Sequence, residues 1–161
     1  MTGKIPVTLP VWHPAFLLAT WFGSGLLPRI PGTWGSAAAL PFAWIIASYG
    51  SPWPLLAAAI IAFAAGIWAA GIYGRHAGIK DASPIVIDEV AGQWLTLAPF
   101  APDPTVYLLG FVLFRVADIV KPWPANWADR SLGGGLGVML DDVFAGVYAA
   151  LTLYALLTVI G

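Results

Sequence analysis

From Trp53 to Tyr73 the chain runs 21 residues without a charged side chain, opened by Pro52 and Pro54 and closed by Gly74-Arg75. As an α-helix at about 1.5 Å per residue, it spans roughly 30 Å, one bilayer core. Lipid offers no hydrogen bonds to a backbone, so such a run commits the segment to helix. A second run, Val143 to Ile160, adds 18 uncharged residues. Composition agrees: 60% of the chain is apolar and 9% charged, against about 45–50% and about 25% in soluble domains. The 9 Trp and 5 Tyr suit membrane interfaces. A net charge of -1 gives no long-range pull on polyanions, so no nucleic-acid partner is expected. Without Cys there is no disulfide framework, thiolate nucleophile or Cys-ligated metal. The expectation is one domain, 1–161, folded as an all-α, compact helical bundle integral to the membrane.

Three shorter segments complete the bundle. Trp34 to Tyr49 contains Pro41, Ile85 to Phe100 carries Asp88 and Glu89, and Thr105 to Val120 carries Arg115 and Asp118. Phe16 to Leu27 is too short to cross and reads as interfacial or re-entrant. Threading five crossings through these segments places Lys4, Arg29, Arg75, Lys80, Lys121 and Arg130 near one face. The positive-inside rule makes that face cytoplasmic. Asp81, Asp88, Glu89, Asp118, Asp129, Asp141 and Asp142 gather at the same end; only Asp103 does not. Clustered carboxylates in apolar surroundings repel one another. Arg29, Arg115, Lys121 and Arg130 offset part of that repulsion, and a divalent cation would offset more.

Two acidic doublets stand in similar settings, Ile87-Asp88-Glu89-Val90-Ala91-Gly92 and Leu140-Asp141-Asp142-Val143-Phe144-Ala145-Gly146. Each reads as the start of a helix and is followed by small residues that let helices approach. Side by side they would gather up to four hard oxygen ligands, which suits Mg²⁺. The competing reading is capping: acids at a helix N-terminus complement its dipole. That suits Asp141, but Ser83-Pro84 already reads as the cap before Asp88. Arg115-x-x-Asp118-x-x-Lys121 shares one helical face, either as an ion pair that eases burial of Asp118 or as a phosphate-holding set. Phe22-Gly23-Ser24-Gly25 and Pro31-Gly32-Thr33-Trp34-Gly35-Ser36 offer either close helix packing or free N–H groups for an anion. Gly133 to Gly137 reads as a flexible loop beside Asp141. There is no phosphate-binding G-x-x-x-x-G-K-[ST] loop, and His13 and His76 read as interfacial loop residues too few for His chemistry.

Taken in order, these motifs, with Lys121-Pro122-x-Pro124, Asp129 and Gly137-x-Met139-x-Asp141-Asp142-x-x-Ala145-Gly146, resemble the phosphatidylglycerophosphatase A family over about residues 16–150. The resemblance implies a multi-pass enzyme of the bacterial inner membrane, its active site on the cytoplasmic side. It implies Mg²⁺-dependent hydrolysis of the terminal phosphate monoester of phosphatidylglycerophosphate to phosphatidylglycerol and phosphate. It also implies a central helix surrounded by about five others, several of them short. Carried onto this chain, Asp88, Glu89, Asp118, Asp129, Asp141 and Asp142 become the catalytic set. Asp88, Glu89, Asp141 and Asp142 would hold the metal. Arg115, Lys121, Arg29, Arg130 and Thr33 would bind the substrate phosphate. Water and a carboxylate such as Asp118 or Asp129 both stay open as nucleophile, and the oligomeric state is undetermined. A CDP-alcohol phosphatidyltransferase is the alternative, although its D-x-x-D-G-x-x-A-R run is absent. A small cation transporter fits less well, because its acids would sit near the midplane.

Overall fold

The computed structural model describes residues 8–160; Lys4 lies outside that range. Its elements are α1 (Pro14–Ala19), a 3₁₀ turn (Ser24–Leu26), α2 (Pro31–Ala47), α3 (Pro52–Ala77), α4 (Ile87–Leu97), α5 (Pro104–Val120), α6 (Ala125–Ser131) and α7 (Gly134–Ile160), with no strand among the described residues. Prolines mark the helix starts. Pro opens α1, α2, α3 and α5, where a missing N–H costs nothing and the fixed φ suits the first turn. Ser51 and Asp103 cap α3 and α5 through their side chains. Gly78 ends α3 in the left-handed region, and Lys121 ends α5 there just before Pro122.

Helix α4 is the axis of the bundle. Nine of its 11 residues are buried, and α2, α3, α5 and α7 pack around it. The expected crossing at 85–100 is thus a shorter helix of about 16 Å sheathed by its neighbours. Its N-cap is Val86, with no side-chain cap, so Ser83-Pro84 precedes the helix rather than starting it. Two helices, α3 and α7, are long and apolar enough to cross a membrane, and only 33% and 28% of their apolar windows are buried. Their outward faces are therefore largely apolar, unlike those of a soluble core helix. The 16–27 segment holds most of the six-residue α1 and the 3₁₀ turn, neither long enough to span a bilayer core. Ala15, Phe16 and Ala19 of α1 are buried, and α1 packs on α3.

The glycine run at 133–137 is not a loop: α7 begins at Gly134. A Cβ at Gly135 would lie 2.0 Å from the Ile67 carbonyl oxygen of α3. Here the absence of a side chain lets the first turn of α7 press onto α3, and packing overrides glycine's low helix propensity. The earlier start also moves Asp141-Asp142 two turns into α7, so N-terminal capping does not account for Asp141. His76 lies within the last turn of α3, and His13 caps α1 by accepting from the Ala15 N–H.

The α4–α7 crossing positions both acidic doublets. A Cβ at Gly146 would sit 2.7 Å from the Gly92 carbonyl oxygen, and one at Gly92 would sit 2.7 Å from the Asp142 carbonyl oxygen. The Thr96 hydroxyl donates to the Gly92 carbonyl at 2.9 Å and to the Gly146 carbonyl at 3.3 Å, tying the helices where they touch. Asp88 precedes Gly92 by four residues, and Asp142 precedes Gly146 by four. Each doublet therefore lies one turn back from the contact, on facing sides of two helices that run the same way.

Candidate active site

The starts of α2 and α4, the end of α5, the first turns of α7 and the 81–85 loop enclose a cavity of about 360 Å³. Six carboxylates line it: Asp81, Asp88, Glu89, Asp118, Asp141 and Asp142. Two cations do, Arg115 and Lys121. Fully ionised, that is an excess of four negative charges in a largely buried space. Asp88, Asp118, Asp141 and Asp142 are each no more than 9% exposed.

The cations are committed to particular acids. Arg115 Nη1 lies 2.6 Å from Asp118 Oδ2, 3.7 Å from Glu89 Oε1 and 3.4 Å from the Ser36 hydroxyl. Lys121 Nζ donates to Asp141 Oδ2 and sits 3.6 Å from Asp129 Oδ2. Burial works against the Lys121 ammonium, but the hydrogen bond and charge of Asp141 outweigh it and raise its pKa. Burial likewise pushes the Asp81 carboxyl up, and Lys121 and Lys80 counter it only in part.

The remaining oxygens lack partners. Asp88 Oδ1, Glu89 Oε2, Asp141 Oδ1 and Asp142 Oδ2 are buried without a hydrogen bond. Ligand oxygens of Asp88, Glu89 and Asp142 lie within 4.8 Å of one another. Orphaned, convergent carboxylate oxygens are costly unless a cation meets them. An all-oxygen donor set with room for water and phosphate oxygens fits a hard divalent ion such as Mg²⁺. The ion would fit Asp88, Glu89 and Asp142, with Asp141 alongside and turned to Lys121.

Gly32 closes the cavity on the α2 side. A Cβ there would stand 2.1 Å from Glu89 Oε1 and 3.1 Å from the Arg115 guanidinium nitrogens. The glycine thus leaves Glu89 and Arg115 the space to meet, and Thr33 lines the cavity beside it. Other sequence-derived candidates fall outside. Arg29 and Arg130 are exposed and do not line the cavity; Asp129 reaches it only through Lys121. One residue outside the candidate set joins the site: Asp81 lines the cavity, while Lys80 beside it donates to the Asp129 carbonyl away from the lining. The sequence signal for Asp81 is a charged pair just before Ser83-Pro84 in a chain where charge is scarce.

A family profile described as Phosphatidylglycerophosphatase A matches residues 17–157. The chain is 41% identical over 145 residues to the Escherichia coli protein named Phosphatidylglycerophosphatase A, covering 89% of this chain and 81% of the relative. It is 36% identical over 158 residues to the Haemophilus influenzae protein of the same name, covering 97% of each. It is also 39% identical over 166 residues to a Bacteroides thetaiotaomicron protein provisionally named a phosphatidylinositol-3-phosphatase, covering 98% of this chain and 99% of the relative. No solved structure matches.

Proposed function

The chain belongs to the phosphatidylglycerophosphatase A family, and from that premise we propose that it hydrolyses the terminal phosphate monoester of phosphatidylglycerophosphate, releasing phosphatidylglycerol and phosphate. The observation that carries the reading is the trio Asp88, Glu89 and Asp142, which offer ligand oxygens within 4.8 Å of one another and each hold a buried oxygen without a hydrogen bond, beside two held cations. The three relatives' names share a chemistry, a phosphate monoester on a lipid, and differ in headgroup.

Asp88, Glu89 and Asp142 would hold Mg²⁺, with Asp141 at their side. Bound there, the ion supplies positive charge that screens the carboxylates and polarises a phosphoryl oxygen. Arg115 holds Asp118 and Glu89 in place and offers its remaining N–H groups to the equatorial phosphate oxygens. The first-turn N–H groups of Gly32 and Thr33 add donors on the α2 side. Water is the nucleophile: Asp118 is tied to Arg115, and Asp129 lies outside the cavity. Asp141, fixed through one oxygen by Lys121 and free at the other, is placed to take the water proton. The water oxygen bonds to phosphorus as the phosphorus–oxygen bond to the glycerol breaks, and the leaving alkoxide oxygen takes up the proton held by Asp141.

The proposal extends to localisation, which the two long apolar helices support. Helices α3 and α7 cross the bacterial inner membrane, with α2 and α5 completing a multi-pass bundle around α4. Arg29, Arg75, Lys80, Lys121 and Arg130 stand at the cavity's end, which becomes the cytoplasmic side. The test is phosphate release from detergent-solubilised phosphatidylglycerophosphate, with and without Mg²⁺, beside phosphatidic and lysophosphatidic acids. Fastest Mg²⁺-dependent release from phosphatidylglycerophosphate is expected; no release from any of the three would reject the reading.

A further inference from the structure

Of the apolar side chains that line the acidic cavity, Ile85 is buried, whereas Ile30 and Ile119 are 51% and 70% exposed. These two therefore belong to both the cavity wall and the outer surface, one before α2 and the other on the last turn of α5. The surface beyond each is apolar. Leu108, Val112 and Ile119 are all exposed and recur on one face of α5, a stripe about 16 Å long that ends at the cavity. Arg115 is four residues before Ile119 and lies inside that end. On the facing lip Leu26, Leu27, Ile30 and Trp34 are exposed.

We propose that Ile30 and Ile119 form a lateral lip over which a diacyl phospholipid reaches the cavity, its glycerol between the two isoleucines and an acyl chain along the Leu108–Val112–Ile119 stripe of α5. This rests on the phosphomonoesterase reading above and adds what it leaves open, the residues that make a lipid a better substrate than a soluble monoester. The occupant follows from continuity. Val116, also exposed, carries the apolar surface past Arg115 to Ile119, and an apolar surface that meets an acidic, cation-fitted cavity there matches a molecule apolar at one end and carrying a phosphate at the other. Apolar and charged surface meet at the lip, where Ile119 stands between Asp118 and Lys121 of the cavity lining.

The test compares the wild type with Ile30→Ser, Ile119→Ser and the double variant, and with Leu151→Ser, an equally exposed position on α7 away from the cavity. Both lip positions are surface residues, so folding should hold; a thermal melt checks it. The substrates are long-chain phosphatidylglycerophosphate in mixed micelles and glycerol 3-phosphate in solution. Each lip variant should lower kcat/KM for the long-chain lipid about tenfold, mostly through KM, from the loss of buried isoleucine surface. Glycerol 3-phosphate turnover and the Leu151→Ser enzyme should stay within about twofold of wild type on that same scale. Equal losses on both substrates, no loss on either, or an equal loss in Leu151→Ser would overturn the lip. A wild type inactive on both substrates would instead defeat the phosphomonoesterase reading, and the lip with it.

Discussion

Replacing Gly92 with alanine probes the contact that brings the two acidic helices together. The new Cβ would lie 2.5 Å from Phe114 Cε2 and 2.7 Å from the Asp142 carbonyl oxygen. Carbon pairs settle at about 3.5–4.0 Å, so α4 must move by roughly 1 Å from α5 and α7. Overpacking of this kind costs about 1–3 kcal/mol. Alanine regains about 1 kcal/mol of helix propensity, leaving a net loss of zero to about 2 kcal/mol. At about 2–4 °C per kcal/mol for a chain of this size, Tm falls by no more than about 8 °C. The effect on turnover should be larger. Asp88 rides on α4 one turn from the contact, so the same displacement separates it from Asp142, and a misplacement of about 1 Å can cost on the order of 100-fold. Thermal unfolding in detergent and phosphate release from phosphatidylglycerophosphate are measured together. Gly133→Ala serves as control, because a Cβ there meets nothing within 4 Å. A Gly92→Ala enzyme with wild-type kcat/KM would refute the claim that this crossing sets the site.

Four other substitutions follow from the same geometry. Asp142→Asn should abolish turnover yet raise Tm in chelator, because it removes a buried charge from an acid-rich cavity; a lower Tm in chelator would contradict this. Arg115→Met should lower stability by about 3 kcal/mol, leaving Glu89 and Asp118 without their counter-ion. A chemical denaturation midpoint unchanged from wild type would show that this pair is dispensable. Gly32→Ala should cut kcat at least tenfold by displacing Glu89 Oε1, 2.1 Å from the new Cβ, while Tm changes little. Burial raises the Asp81 carboxyl, so the folded protein keeps that proton where the unfolded chain has released it. Stability is lost as pH rises through that window. Asp81→Asn should therefore raise Tm near pH 7 and leave it unchanged at pH 3, read by melts across that range.

Sequence periodicity and charge placement reveal much of this fold for physical reasons. Long uncharged runs such as Trp53–Tyr73 have only one way to satisfy their backbone, so α3 and α7 are legible. The doublets Asp88-Glu89 and Asp141-Asp142 stand out because charge is rare in this chain. The position of α7's start was not legible. Gly133 to Gly137 has the composition of a loop, and only the Ile67 carbonyl pressed against Gly135 explains its helix. Nor could spacing separate Arg115, which faces the cavity, from Arg29 and Arg130, which do not. That distinction depends on where distant helices bring their ends. Asp81 joins the site for the same reason, through a loop whose path is set by its neighbours.

Direct titration of divalent cation into the purified protein tests the central claim, with Mn²⁺ followed by paramagnetic resonance and Mg²⁺ as competitor. Wild type should bind Mn²⁺, Mg²⁺ should displace it, and Asp88→Asn and Asp142→Asn should each weaken binding at least tenfold while remaining folded. Equal Mn²⁺ affinity in wild type and both variants would contradict a cation held by these carboxylates.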